Sequence, residues 1–264
     1  MPMHAIFQDL ILGGSAVLGG VVNAVAGGGT LLTFPALIWA GQVERVANAT
    51  STVALWPGAL SSFWAYRTEL GSSRKQIALL AVPSFVGGVL GALLLLNTGN
   101  ETFATVVPYL LLLATLLFVA DEPLARWRRR PPQAATAWRR TRWAVVLVVQ
   151  LLVGIYGGYF GAGIGILMLA AFGLLGLTDI HHMNALKNLN AMCINGIAAA
   201  IFIVNGMVDW RLALGMAAGA ILGGYAGARV ARRVGQKNVR RVIIGIGCAL
   251  TLWLLLRNLT GVSI

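Results

Sequence analysis

The sequence predicts an all-α polytopic membrane protein built from two inverted repeats, each with a broken or re-entrant helix pair and three further transmembrane helices. Composition is the first observation behind this prediction: 58% of the 264 residues are hydrophobic, 11% are charged, and the mean hydropathy is +0.80. A soluble domain has about 25% charged residues, so a soluble or disordered chain is excluded. The other two observations are a row of membrane-length apolar segments and an internal repeat.

Cysteine and histidine usage predicts no cofactor. The two cysteines, Cys193 and Cys248, lie inside apolar runs and are too few for a disulfide scaffold. His4, His181 and His182 are not clustered with cysteines, as a zinc or iron-sulfur site would require. We therefore expect neither a metal nor a cofactor.

Eight apolar segments follow one another along the chain, and a spanning helix needs about 20 apolar residues. Six have that length, at residues 46–66, 77–96, 103–120, 183–204, 212–231 and 239–256. The other two, residues 4–40 and 143–177, are too long for one crossing and are interrupted by glycine at 27–29 and 161–163. Each is predicted to be a pair of helices separated by a break, which either crosses the bilayer twice or re-enters it.

Two short motifs recur in the second half of the chain. GVVNAVAG at residues 20–27 is similar to GIYGGYFG, 134 residues later, and GGVLG at residues 87–91 is similar to GGYAG, 136 residues later. Such recurrence indicates a tandem duplication. We expect a first transmembrane repeat at residues 1–121, a basic cytoplasmic linker at 122–142 and a second transmembrane repeat at 143–264.

The net charge of +12 is concentrated between the apolar segments. Sixteen of the 20 basic residues fall in the stretches 67–75, 126–142 and 229–241. Because basic residues are retained in the cytoplasm, these stretches predict cytoplasmic loops that contact anionic lipid, and no nucleic-acid partner. Corresponding loops of the two repeats differ in charge, so they are expected on opposite sides of the membrane, with both termini outside. The sequence does not indicate an oligomeric state.

The N-terminal segment lacks two features of a signal peptide. Residues 1–26 are apolar, but no basic residue precedes the apolar run and there is no clear cleavage site. We therefore expect this segment to be part of the mature protein.

The two glycine breaks are the predicted binding site. An unwound backbone inside the bilayer is tolerated only where it is buried in protein or lines a cavity. The helix after each break presents unpaired amides and the positive end of its dipole, which attract anions. The alternative is that the glycines only permit close helix packing, and this alternative suits Gly87, Gly91, Gly223 and Gly227 better than the two matched triplets.

The next apolar segment of each repeat carries polar side chains. Lysine is costly inside a span, so Lys187 either faces a bound anion or snorkels to the nearby interface, and the sequence leaves both open. All eight acidic residues lie at the edges of apolar segments, which favours an anionic over a cationic substrate. The predicted substrate-binding residues are Asn23, Gly28, Gly29, Thr30, Asn48, Thr50, Ser51, Gly161, Gly163, Lys187, Asn188 and Asn190.

The segments around the breaks resemble a known family. GGVVNAVAGGGTLLTFPAL and ANATSTVALWPGALSSFWAY resemble the sulfite exporter TauE/SafE family, and GIYGGYFGAGIGILM with MNALKNLNAMCINGIAA is similar to its second repeat. The resemblance covers nearly the whole chain. It implies a bacterial inner-membrane exporter of small sulfur-containing anions such as sulfite, sulfoacetate or other organosulfonates. The family's motif positions fall on Gly27, Gly28, Gly29, Thr30, Pro35, Ala47, Thr50, Ser51, Gly161, Gly163, Lys187 and Asn188.

The resulting hypothesis is a secondary transporter that moves the anion outward by alternating access between the repeats. A membrane potential that is negative inside favours anion exit by about 2.3 kcal/mol per charge per 100 mV, so an anion uniporter or channel is the alternative, as is a transporter of another small anion. An enzyme is not expected, because the sequence offers no nucleophile and base or metal ligands at depth. A structural membrane subunit would not need matched glycine breaks.

Overall fold

The fold is known from a computed structural model, which describes residues 3–70, 74–128 and 139–230 and the pairs 244–245, 248–249 and 252–253. The described ranges up to residue 230 form nine α-helices and one short 3₁₀ turn, Arg67–Glu69, with no strand among them. The chain is an all-α polytopic membrane protein. The helices are α1 Met3–Val25, α2 Thr30–Trp39, α3 Glu44–Tyr66, α4 Arg74–Asn97, α5 Asn100–Arg128, α6 Arg139–Tyr159, α7 Ile164–Leu174, α8 Ile180–Val204 and α9 Trp210–Val230.

Helix length and composition separate three groups. Helices α1, α4, α5, α6 and α8 are long and apolar enough to cross a bilayer, whereas α2 and α7 have only 10 and 11 residues. At 1.5 Å per residue, the two short helices reach about half of a 30 Å hydrocarbon core. Each long apolar segment is therefore one spanning-length helix and one half-length helix. Helices α3 and α9 form the third group. They were predicted as ordinary spans and are long enough to cross a bilayer, but polar side chains in α3 and glycines in α9 make them less hydrophobic than the first group.

Two helices extend into the predicted linker. Helix α5 continues to Arg128 and α6 begins at Arg139, so the predicted linker 122–142 starts and ends inside helices. Charged residues extend these helices beyond the apolar segments, because the polar interface tolerates them where the hydrocarbon core does not. Most of the predicted span 239–256 lies outside the described residues.

The helix boundaries repeat along the chain. Thr30 and Ile164, the first residues of α2 and α7, are 134 residues apart, and Glu44 and Ile180, the first residues of α3 and α8, are 136 apart. The packing repeats as well: α1 packs on α9 as α6 packs on α4, and α3 packs on α9 as α8 packs on α4. Residues at these spacings are called counterparts below.

The direction of the helices follows from the residues in contact. Gly219 lies against Gly13 and Gly227 against Val21, so α1 and α9 run in the same direction. Contacts between α4 and α6 give the same result for that pair. The counterpart helices α3 and α8 run in opposite directions, because Trp56 Nε1 donates to Met192 O at 3.2 Å while Tyr66 packs with Ala185.

The molecule has two distinct ends. At the N-terminal end, where α1 begins, Gln42 Nε2 donates to Asp209 Oδ2 at 3.0 Å and joins the α2–α3 loop to the α8–α9 loop. At the opposite end, His182 Nδ1 donates to Glu69 O at 2.9 Å and joins the start of α8 to the segment after α3. We call this second end the basic end, because it holds Arg67, Lys75, Arg126 and Arg229.

Glycine allows the helices of the two halves to approach closely. A Cβ atom on Gly20 would lie 2.5 Å from Ala220 O, and one on Gly87 would lie 2.5 Å from Leu151 O. Backbone cannot yield as a flexible side chain can, so only glycine fits at these crossings. The glycines predicted to serve packing, including Gly91 and Gly223, do so.

Candidate functional site

Both glycine breaks are non-helical, and they meet inside the protein. A Cβ atom on Gly27 would lie 2.6 Å from the Cα of Gly165, and one on Gly28 would lie 3.2 Å from the amide nitrogen of Gly163. Gly27 and its counterpart Gly161 have φ values of +72° and +85°, a left-handed conformation that glycine adopts without the strain other residues incur. The two breaks thus form one junction between the repeats, which we call the central junction.

The ends of α1 and α6 have the same local structure. The amides of Ala26 and Gly27 both donate to Val22 O, and the counterpart amides of Phe160 and Gly161 both donate to Tyr156 O. These bonds satisfy one carbonyl at each helix end and leave the following carbonyls to find other partners.

In the first break, a side chain already binds the helix-start amides. Asn23 Oδ1 accepts from the amide of Gly28 at 3.0 Å and from that of Gly29 at 2.8 Å. These amides were predicted to hold the oxygen of a ligand. In the structure that oxygen is Asn23 Oδ1, so the first break is filled from within.

The second break lacks this side chain, because the counterpart of Asn23 is Gly157. Within the described ranges, no side chain accepts from the amides of Ala162 or Gly163, the counterparts of Gly28 and Gly29. Tyr156, which the sequence did not single out, donates its hydroxyl to Ala162 O at 2.7 Å and holds the break in place. Ile164 and Ile194 pack beside Gly157 and form an apolar wall.

A polar side chain of each half binds carbonyls at the end of the other half's broken helix. Lys187 on α8 donates from Nζ to Ala24 O at 3.0 Å and to Asn23 O at 3.4 Å, at the end of α1. Asn48 on α3 donates from Nδ2 to Tyr159 O at 2.9 Å, at the end of α6. A cation at a helix C-terminus complements its dipole. Lys187 is 0% exposed, so its ammonium lies at the central junction and does not snorkel to the interface.

Three buried amide atoms on α3 and α8 have no hydrogen-bond partner among the described residues. They are Asn48 Oδ1, Asn184 Oδ1 and Asn188 Nδ2, on residues that are at most 4% exposed. Asn48 and Asn184 are counterparts. An unpaired buried polar atom costs about 1–3 kcal/mol, so each of these atoms is a candidate for ligand binding.

Three of the predicted site residues bond to other elements. Thr50 Oγ1 accepts from the amide of Asp209 at 3.0 Å, at the start of α9. Ser51 shares a hydrogen bond of 2.6 Å with Thr33, which joins α3 to α2. Asn190 is bonded through its Oδ1 to Ser84 Oγ at 2.8 Å, and Gln150 Nε2 donates to the same hydroxyl at 2.8 Å. These side chains fix helices around the junction.

Comparison with known proteins gives one family match and several relatives. The family model described as "Sulfite exporter TauE/SafE" matches residues 12–254. A probable membrane transporter protein of Haemophilus influenzae is 29% identical over 84% of this chain and 85% of its own length. The probable membrane transporter protein YfcA of Escherichia coli is 30% identical over 91% of this chain and 87% of its own length. A probable membrane transporter protein of a Sinorhizobium species is 27% identical, with coverage of 91% and 90%.

Proposed function

The chain belongs to the sulfite exporter TauE/SafE family and is a membrane transporter, not an enzyme, and on this premise we propose that it exports a small sulfur-containing anion across the bacterial inner membrane. Sulfite, sulfoacetate and other organosulfonates are the candidate substrates. The difference between the two breaks is the observation that carries this proposal. Asn23 fills the first break, whereas the second, with Gly157 at the counterpart position, has no side-chain acceptor among the described residues.

The anion is proposed to bind at the start of α7. The amides of Ala162 and Gly163 would donate to its oxygens, as Gly28 and Gly29 donate to Asn23. Asn188 Nδ2 is a further buried donor in need of an acceptor. The ammonium of Lys187, although bonded to carbonyls, adds positive charge to a buried region where charge interactions are stronger than in water.

Inverted repeats and alternating access account for the movement of the anion. The opposite directions of α3 and α8, together with the matched packing of α1 on α9 and α6 on α4, support two oppositely oriented copies around one site. The two breaks are in direct backbone contact at the central junction. This contact favours a carrier over an open channel.

Transport into liposomes tests the proposal directly. Purified protein is expected to catalyse flux of sulfite or sulfoacetate that exceeds flux of sulfate and phosphate. Asn188→Leu is expected to reduce that flux roughly tenfold or more, because it removes a hydrogen-bond donor to a charged ligand. Asn205→Leu is the matched control, since Asn205 lies at the exposed end of the same helix. Absence of flux for every sulfur anion, or equal flux in the two variants, would contradict the proposal.

A further inference from the structure

The ends of α1 and α6 differ in charge although their backbones match. Asn23 O, near the end of α1, accepts from the ammonium of Lys187 at 3.4 Å. Its counterpart is Gly157 O, near the end of α6, and the counterpart of Lys187 is Ser51, whose hydroxyl is bonded to Thr33. Within the described ranges, the end of α1 therefore binds a lysine ammonium and the end of α6 does not.

Three oxygen atoms surround a small space beside Gly161. A Cβ atom on this glycine would lie 3.1 Å from Gly157 O, 3.7 Å from Asn195 Oδ1 and 3.9 Å from Thr30 Oγ1. The oxygens come from α6, α8 and α2, so both repeats contribute. We call this space the oxygen cradle. At the counterpart, Gly27, the same position is filled by the backbone of Gly165.

Further polar atoms lie near the same helix end. Asn48 is 0% exposed, its Nδ2 holds Tyr159 O, and its Oδ1 has no donor among the described residues. Thr30 is only 7% exposed, and its hydroxyl makes no hydrogen bond within the described part of the chain. Acceptor oxygens beside the negative end of a helix dipole attract a cation or a hydrogen-bond donor.

We propose that a monovalent alkali cation, Na⁺ or K⁺, binds in the oxygen cradle. There it stabilises the C-terminal end of α6, as the ammonium of Lys187 stabilises the C-terminal end of α1. Its ligands are Gly157 O, Asn195 Oδ1 and Thr30 Oγ1. Hard cations prefer oxygen ligands, and carbonyls at the ends of broken membrane helices commonly coordinate them. None of these three ligands is a carboxylate, which suits a single rather than a double positive charge.

The cation and the proposed anion bind on opposite sides of the second break. The anion lies at the positive start of α7, and the cation lies at the negative end of α6. The cation site does not depend on which anion is transported or on the direction of transport. If the cation moves together with the anion, the anion flux would depend on the concentration gradient of the cation.

Thermal unfolding of the purified protein, without any sulfur anion, tests the site. NaCl or KCl is expected to raise the melting temperature in a saturable manner relative to choline chloride at equal concentration, because a ligand bound only to the folded state stabilises it. The salt that acts at the lower concentration identifies the preferred cation. Thr30→Val and Asn195→Leu are expected to weaken the apparent affinity by at least about tenfold.

Thr115→Val is the matched control for this experiment, because Thr115 is equally buried in α5 but donates its hydroxyl to Leu111 O of its own helix. It should retain the wild-type response, as should Thr30→Ser. Binding of radioactive sodium to the wild-type protein, with potassium and choline as competitors, gives a second measurement that needs no variant. Equal melting temperatures in all three salts, or an unchanged cation response in Thr30→Val, would overturn the proposal. A water molecule in the cradle would produce the first of these results.

Discussion

At the scale of single residues, the broken helices depend on polar side chains that replace their missing backbone partners. Asn23 serves the start of α2, Lys187 the end of α1 and Asn48 the end of α6. Water cannot satisfy these groups inside a bilayer, where each unpaired one costs several kcal/mol. The side chains that hold the breaks are therefore structural requirements as well as candidate binding groups.

Lys187→Met tests the structural part of this role. The substitution keeps the length of the side chain but removes the ammonium that binds Ala24 O. We expect it to destabilise the folded protein by about 2 kcal/mol, the value of a hydrogen bond to a charged group, and to lower the melting temperature. Lys75→Met is the control, since Lys75 is exposed at the start of α4. A melting temperature that falls equally in both variants would show that the cap does not stabilise α1.

The sequence shows which polar residues lie inside apolar segments, but it does not show which atoms they bond to. Thr50, a predicted substrate-binding residue, accepts from the amide of Asp209, 159 residues away, and its contact with substrate stays a prediction. Gln150, a polar residue that the sequence analysis does not single out, donates from α6 to Ser84 on α4. Periodicity and motif spacing carry no information about such distant pairs. The proposed roles of Asn188 and Gly163 stay predictions.

At the scale of helices, the sequence predicts both breaks because each apolar segment is too long for one crossing and is interrupted by glycine, at 27–29 and at 161 and 163. The structure confirms a break at residues 26–29 and at 160–163. It also assigns a long and a short helix to each pair, which hydropathy alone left open. The short helices stop where their apolar segments meet the loops at Gly41 and Gly176, both with positive φ.

The glycines at helix crossings lead to a prediction for α9. Gly223→Ala would place a Cβ against Val17 O of α1, a backbone atom that cannot move aside. We expect the variant to separate α1 from α9 and to lose about 1–3 kcal/mol of stability, as overpacked sites do. The measurement is the melting temperature of the purified protein.

Gly215→Ala is a control within the same helix. Gly215 has no atom within 4 Å of the position of a Cβ, so the substitution adds only helix propensity and is expected to be neutral or slightly stabilising. If both variants had the same melting temperature, close approach of α1 and α9 would not contribute to stability.

At the scale of the whole molecule, two similar halves surround a junction whose two sides are chemically different. The positive φ of Gly27 and Gly161 and the hydrogen bonds at the two helix ends repeat, whereas Gly163 has a positive φ and its counterpart Gly29 does not. The side chains do not repeat: Asn23 has Gly157 as its counterpart, and Lys187 has Ser51. A symmetric frame with asymmetric side chains can hold one substrate in one orientation. The repeat could be detected in the sequence, but the contact between its two breaks could not.

Orientation in the membrane gives the last prediction. The α2–α3 loop lies at the N-terminal end of the molecule, where Gln42 bonds to Asp209, and the corresponding α7–α8 loop lies at the basic end, where His182 bonds to Glu69. Basic loops stay in the cytoplasm. The two corresponding loops should therefore face opposite sides of the membrane, the α2–α3 loop outside and the α7–α8 loop inside.

Cysteine labelling in intact cells measures this orientation. In a chain whose Cys193 and Cys248 are replaced by alanine, Val43→Cys should react with a membrane-impermeant maleimide, because it lies in the exposed outer loop. Thr178→Cys, in the corresponding loop, should react only after the cells are permeabilised. Glu101→Cys and Thr68→Cys, exposed at the N-terminal and basic ends, calibrate the two responses. Labelling of Val43→Cys and Thr178→Cys from the same side would mean that the repeats are not inverted, and a shared site between oppositely oriented copies would then be untenable.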